Sequence, residues 1–372
     1  MKTPPAPLAV LSKLAKRRRR TFRLAAICLV LALGECLCLV LFMGPLAHYE
    51  STRRHMLGTD HSGPPRGVGQ PYLLYVPTPG FEGLDGVRHS PDGYRGETVP
   101  RKRTPGVARV LCLGGSTTYG WKVKDDSQTY PAWLERVLST DLPPGIEGIE
   151  VINAGLPGGT SAELLTHLHF KWRYYRPDVV VLNTGGNDAF ALASPHYTPD
   201  YSHYRNVPRP ARTLPGPGRI VARSRLGALA LIMLFHGIDL GSDELVRPRV
   251  PLAPWYQAPA GGIHEVPDDE FAFAVNLRAL VREIEVTGAR IVFVPFRERA
   301  GSREAKDDVQ LLLERNERVM RELAVEPGRA LAPFPASVIP EGEWADACHV
   351  TGLGSRAKAE HVAPMVQRLL RR

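Results

Sequence analysis

Val107-Ala-Arg-Val-Leu-Cys-Leu-Gly-Gly-Ser-Thr-Thr118 is the stretch on which the reading of this chain turns. Its apolar run, Val107 to Leu113, predicts a strand. Glycines then let the backbone turn sharply and leave Ser116 at the strand's end. A serine in that position is placed as a nucleophile once a base takes its proton. Three further blocks follow in order: Asn153-Ala-Gly-Leu-Pro-Gly158, Gly185-Gly-Asn187-Asp188 and Asp346-Ala-Cys-His349. Together they hold a candidate base with an orienting carboxylate, and donors for a developing oxyanion.

Outward from Ser116 the pattern alternates. Helices are expected over residues 128–138, 160–175, 268–287, 309–323 and 351–370. Strands are expected over residues 150–153, 179–183 and 291–294, with a short last strand within 330–338. Thr160 and Glu163 have capping-box spacing, and Gly288 suits a helix C-terminus. Phe273, Leu277, Leu280 and Ile284 form one apolar stripe. Val179 to Asn183 is β-branched and apolar, as a strand buried on both faces requires. Such alternation predicts a parallel sheet with helices on both faces. Working residues then collect at the carboxyl ends of strands, where Ser116, Gly158 and Asn187 all fall.

Bulk properties narrow the function. The chain has 372 residues and a net charge of +9. Eight basic residues between Lys2 and Arg23 precede the first acid, Glu35; taking them from 47 leaves 39 basic against 38 acidic residues. The basicity is therefore terminal, and no nucleic-acid-binding face is implied. Leu24 to Ala47 is nearly unbroken apolar sequence, long enough to cross a hydrocarbon core of about 30 Å. It exceeds the core of a signal peptide, and no clear cleavage site follows, so an uncleaved signal anchor is expected. The division is a basic cytoplasmic tail over 1–23, a transmembrane anchor over 24–47, a stalk and extended segment over 48–105, and an exported domain over 106–372. Glu35 lies mid-span. It is either a protonated carboxyl that the apolar run tolerates or a contact with another membrane helix.

Residues 189–266 interrupt the alternation with a proline- and tyrosine-rich insertion. It contains the apolar segment Leu226 to Phe235, with Ser224 as its cap. That segment is too short to span a bilayer. The plain reading is a helix packed on the core; a lid and a membrane-facing patch are the alternatives.

Cys28, Cys36 and Cys38 fall in the span, and only Cys112 and Cys348 lie outside it. Two buried thiols are the reading, with a disulfide conceivable if the fold joins those ends. No Cys-x-x-Cys or zinc-spaced cluster exists, and His167 and His169, two apart in a helix, make a poor metal pair. No metal or organic cofactor is implied. No lysine follows the glycine turn at the P-loop position, and no Gly-x-Gly-x-x-Gly follows the first strand.

The four ordered blocks resemble those of the SGNH/GDSL hydrolase superfamily, over roughly residues 107–371. The resemblance implies a three-layer α/β/α sandwich with a flavodoxin-like sheet. It implies Ser116 as nucleophile, His349 as base and Asp346 as its orienting partner. The Ser116 and Gly158 N–H groups and the Asn187 side-chain amide become the oxyanion donors. Asp188 supports its loop, and Asn153 braces a turn. The family's name-giving aspartate is Gly115 here, a change that bears on loop shape. The implied activity is a membrane-anchored serine esterase hydrolysing an O-acyl ester, with an acylated cell-envelope glycan as a substrate suggested by analogy. An O-acyltransferase using the same residues is the nearest alternative. A catalytically idle binding module is a third, and a His349 far from Ser116 would support it.

Overall fold

The structure, a computed structural model, describes residues 7–44, 53, 67–70, 72–83, 86–194, 197–204, 216–234, 259, 262–302 and 307–371. The chain divides into two compact units: residues 1–61 with 209–244, and residues 62–208 with 245–372.

In the smaller unit, α1 runs from Pro7 to Met43 as one helix. The basic stretch therefore continues directly into the apolar one, and Leu14–Met43 is long and apolar enough to cross a membrane. Residues 45–47 of the expected 24–47 span lie outside the described residues, as does most of 48–66.

The larger unit opens with a hairpin, β1 (Gly67–Gln70) against β2 (Leu74–Pro77). Its sheet has five parallel strands: β3 (Val107–Gly114), β4 (Gly148–Gly155), β5 (Val179–Thr184), β6 (Arg290–Pro295) and β7 (Arg329–Leu331). Their spatial order is β4-β3-β5-β6-β7. Chain order reverses at β3, so a crevice opens beside its carboxyl end, between it and β5. Each strand buries both faces by alternation. Leu111, Leu113, Val180, Leu182, Ile291 and Phe293 enter one buried cluster; Val110, Cys112, Val179, Val181, Val292 and Val294 enter another.

Helices close both faces. After β3 comes the single turn α2 (Ser116–Tyr119), then α3 (Tyr130–Ser139), with Pro131 in its first turn. α4 (Ser161–Phe170) carries the Thr160/Glu163 capping box and continues as a 3-10 turn, Trp172–Tyr175. α5 (Gly186–Leu192) follows β5. α6 (Gly216–Arg223) and α7 (Arg225–Leu234) belong to the smaller unit. α8 (Ala272–Val286) buries Phe273, Leu277, Leu280 and Ile284, and Gly288 follows it with φ +81°. α9 (Asp307–Leu323) and α10 (Gly352–Leu370) complete the layers. The first cluster takes in α4, α8 and α9; the second takes in α3 and α10. This is the three-layer α/β/α sandwich with a flavodoxin-like strand order.

The apolar segment after Ser224 belongs to the smaller unit. As α7 it packs on α1 and α6. Within the same unit Glu35 meets the start of this helix. Its carboxylate accepts hydrogen bonds from Ser224 Oγ (2.6 Å), Arg225 N (2.8 Å) and Leu226 N (3.0 Å) at the start of α7. Ser224 is also the expected cap, accepting from Gly227 N at 3.0 Å.

The insertion also contributes to the larger unit. Residues 189–192 finish α5, and Tyr197, Tyr201 and Val266 are buried in the first cluster. Residues 205–215 and 235–258 lie outside the described residues.

The 86–105 stretch is more than a tether. The Arg95 side chain is buried. It donates to Asp126 Oδ1 (2.7 Å), Tyr119 O (3.2 Å), Gly120 O (2.6 Å) and Val123 O (2.6 Å). His89 Nε2 lies 2.7 Å from Tyr119 Oη. The segment thus holds the chain just beyond Ser116 from behind.

Candidate active site

Ser116 opens α2 directly beyond β3. Space, more than dihedral angle, demands the two glycines before it. A Cβ on Gly114 would lie 2.3 Å from both Asn183 O and Thr118 Oγ1. Gly115 has ordinary angles (φ −85°, ψ −152°), but its Cβ would lie 2.9 Å from Asn187 Nδ2. At Gly155 a Cβ would sit 2.2 Å from Tyr119 N, so α2 rests directly on the end of β4. The residue that replaces the family's aspartate therefore makes room for a neighbouring amide.

Asp346 and His349 occupy the loop before α10. Trp344 and Val350 bridge across its neck, and Ala345 N donates to His349 O at 2.8 Å. Thr351 caps α10 through Gly354 N. Within the loop, Asp346 Oδ1 accepts from Cys348 N (3.0 Å) and His349 N (2.8 Å). His349 Nδ1 is 2.9 Å from each Asp346 oxygen, and its Nε2 is 2.8 Å from Ser116 Oγ. An ionised Asp346 only accepts, so Nδ1 carries the proton and Nε2 is left to accept from the serine hydroxyl. Partial burial raises the Asp346 pKa, but the bonds from Cys348 N, His349 N and the imidazole outweigh it and hold the carboxyl below its ordinary range. Lys122 Nζ, 3.7 Å from Asp346 Oδ2, adds a positive charge.

The remaining blocks converge on the same point. Gly158 has φ +76°, a conformation a side chain would strain. Tyr75 Oη donates to Pro157 O at 2.6 Å and holds that loop. Asn187 Nδ2 donates to Gly159 O at 2.9 Å, which leaves its second hydrogen for another acceptor. Thus Asn187 bridges the loop of Gly158 to the turn of Gly115 and Ser116. Asp188 is fully buried beneath it, accepting from Ser161 N, Ser161 Oγ and Tyr201 Oη. Burial pushes the Asp188 pKa up. With its oxygens occupied there, Asp188 ties α5 to the start of α4. Asn153 Oδ1 accepts from Gly155 N (3.1 Å), and its Nδ2 donates to Tyr119 O (3.3 Å).

The cysteines are free thiols. Cys112 is buried, and burial pushes its thiol up to about 12. Cys348 is half-buried, not buried as expected, with Sγ 3.5 Å from His349 Nδ1. Asp346, Cys348 and His349 are the one group of possible metal ligands among the described residues. They already bond one another, and a metal on Nδ1 would displace Asp346. His167 contacts Leu73 O and Tyr75 O, and His169 pairs with Glu283.

Sequence reading missed one support. Lys358 is buried, with Nζ 2.7 Å from Asn183 Oδ1, and the same oxygen accepts from Thr117 Oγ1 at 3.0 Å. This chain of bonds links α10, β5 and the residue after Ser116. Only its helical spacing in α10, four residues from Gly354, marked Lys358 as facing inward.

A parallel sheet whose crevice holds a serine, an imidazole and a carboxylate in bonding sequence has the arrangement that nucleophilic ester hydrolysis requires. The model of the GDSL-like lipase/acylhydrolase family matches residues 112–357, and the chain belongs to that family. It is a hydrolase acting on ester bonds. Solved structures to which the chain is similar include a putative lipolytic protein of the G-D-S-L family from Desulfitobacterium hafniense DCB-2. That protein is 16% identical, with 70% of this chain and 99% of that chain covered and a TM-score of 0.40. The acetyl xylan esterase AlAXEase is 14% identical, with 69% and 99% covered and a TM-score of 0.42. A mutant of Axe2, an acetyl-xylooligosaccharide esterase from Geobacillus stearothermophilus, is 16% identical, with 71% and 94% covered and a TM-score of 0.43. No curated protein matches the sequence.

Proposed function

We propose that this chain is a membrane-anchored, exported serine esterase that hydrolyses an O-acyl ester through Ser116, His349 and Asp346. The observation that carries the reading is the 2.8 Å contact between His349 Nε2 and Ser116 Oγ, with Asp346 on the other ring nitrogen. As Ser116 Oγ attacks the acyl carbonyl, His349 Nε2 takes its proton. Asp346 keeps the imidazole in the required tautomer and stabilises it once charged. The tetrahedral oxyanion is received by the Ser116 and Gly158 N–H groups and the second Asn187 hydrogen. His349 then returns the proton to the leaving alcohol. Water, deprotonated by the same nitrogen, cleaves the acyl-enzyme and releases the acid.

Anchoring is supported by α1, whose apolar side chains Leu24 to Val40 are largely exposed and follow a basic run. An acylated envelope glycan suits an exported esterase as substrate class.

The test is turnover of a chromogenic short-chain acyl ester by the full chain in detergent, with Ser116→Ala as comparison. Wild type hydrolyses the ester, and the variant does not. Equal rates from two folded proteins would remove Ser116 from the reaction. For topology, a C-terminal reporter active only outside the cytoplasm must be active; activity of a cytoplasm-only reporter would reverse the orientation.

A further inference from the structure

A glutamate halfway along an apolar span and the bare N-terminus of a short apolar helix are each costly in hydrocarbon. Helix N-termini leave backbone N–H groups without partners, and lipid offers none. A lone carboxylate is equally misplaced there. In this chain the two meet. Glu35 accepts from Arg225 N, Leu226 N and Ser224 Oγ, so each group supplies what the other lacks. Arg225 also sets an opposite charge near the carboxylate.

The fit extends beyond that contact. Gly34 has no side chain where one would meet Leu226 Cδ2 at 2.9 Å, so the two helices approach closely, as small residues permit within membranes. Gly34, Cys38 and Phe42 recur every fourth residue, on a single face of α1, and Cys38 and Phe42 are buried. Elsewhere on the apolar part of α1, Leu31, Leu33, Leu37 and Val40 are exposed, and on α6 and α7 so are Ile220, Val221, Met233 and Leu234. α7 has ten residues, about 15 Å of helix, half of a hydrocarbon core. It can enter a bilayer without crossing it. Arg223, exposed beside the turn, can extend its charge toward headgroups.

We propose that α7 is a second membrane-embedded element, a re-entrant helix whose exposed face contacts lipid acyl chains and whose buried end is tied to the anchor by Glu35. The inference rests on α1 being the membrane span. Its consequence is that the part of the insertion in the smaller unit, residues 209–244, returns to the bilayer. The hydrolase is then held to the membrane at two points in its chain, and membrane-borne esters are favoured over soluble ones.

The experiment reconstitutes the full chain in phosphatidylcholine/phosphatidylglycerol vesicles containing lipids brominated on their acyl chains. Met233→Trp and, separately, Leu31→Trp report from α7 and α1, each read as the emission gained over the unsubstituted chain. Hydrolysis of a soluble ester verifies that each variant is folded. The proposal expects Met233→Trp emission to be lost to brominated lipid about as strongly as that of Leu31→Trp, and to resist aqueous iodide. If Leu31→Trp is quenched by lipid while Met233→Trp is quenched by iodide, α7 lies in water. The proposal then falls and the anchor stands. Insensitivity of Met233→Trp to both quenchers would mean that protein, such as a second copy, covers α7, which also overturns it. If neither reporter meets lipid, the anchor reading fails and takes the proposal with it. Adding Glu35→Ala should shift Met233→Trp from lipid toward iodide quenching; an unchanged profile would refute the tie.

Discussion

Asn187 is the residue whose position explains most about the nucleophile turn. Its amide bonds Gly159 O and stands where a Cβ on Gly115 would intrude. Asn187→Ala should lower kcat by about 10²–10³, the usual cost of one oxyanion donor, with little change in KM. Gly115→Asp, which restores the family's aspartate, should lower kcat as well, because the new side chain must push the amide aside. Steady-state kinetics on one ester reads both; an unchanged kcat in Asn187→Ala would remove that amide from the oxyanion site. Asp346→Asn keeps the shape but no longer enforces the ring tautomer, and should cost about 10⁴ in kcat. The carboxyl of Asp346 lies below its ordinary range, so it stays ionised as pH falls toward the acid side. Protonation of Asp346 should therefore not cost rate until the pH falls below the ordinary carboxylate range, and a pH–rate profile checks this; a loss of rate within that range that is absent from Asp346→Asn would place the Asp346 titration higher.

At the scale of elements, two buried cations hold the site from outside it. Arg95 joins the N-terminal segment to the chain after α2 through four hydrogen bonds. Arg95→Ala removes all four of these bonds from a buried site, and should destabilise the larger unit by about 3–5 kcal/mol, read by denaturant unfolding. Lys358 works on the other face. Burial lowers its pKa from 10.5 to about 7. Between those values the unfolded chain binds a proton that the folded chain does not, so stability rises with pH across that window and is flat below it. Lys358→Met should remove that slope and be the more stable protein at pH 7 and below. A slope equal to that of wild type would place the titration elsewhere. Much of this architecture was legible: β-branched runs marked strands, and Thr160 with Glu163 marked the start of α4. Arg95 and Lys358 were not legible, because single charged residues read as surface until their distant partners are known. The α3 start at Tyr130, not Gln128, reflects a separate 3-10 turn, Asp126–Gln128, whose cap is Asp125.

At the scale of the whole molecule, the blocks ending at Ser116, Gly158 and Asn187 were readable because each lies at the end of a strand, and parallel strands bring such ends together; the Asp346–His349 block lies instead in the loop before α10. The smaller unit was not readable. Glu35 and Ser224 lie 189 residues apart, and no periodicity links them. That contact has a practical consequence: a fragment lacking residues 1–47 leaves α7 without α1. Such a fragment should aggregate or bind detergent, and replacing residues 209–244 with a short Gly/Ser linker should restore a monodisperse species by size-exclusion chromatography. Equal behaviour of both fragments would make α7 independent of α1. The account as a whole depends on one activated hydroxyl. A fluorophosphonate probe applied to the folded full chain in detergent, followed by peptide mapping, tests it directly. The account predicts covalent label on Ser116, abolished in His349→Ala; an unlabelled Ser116 in folded protein, or labelling indifferent to His349, would contradict it.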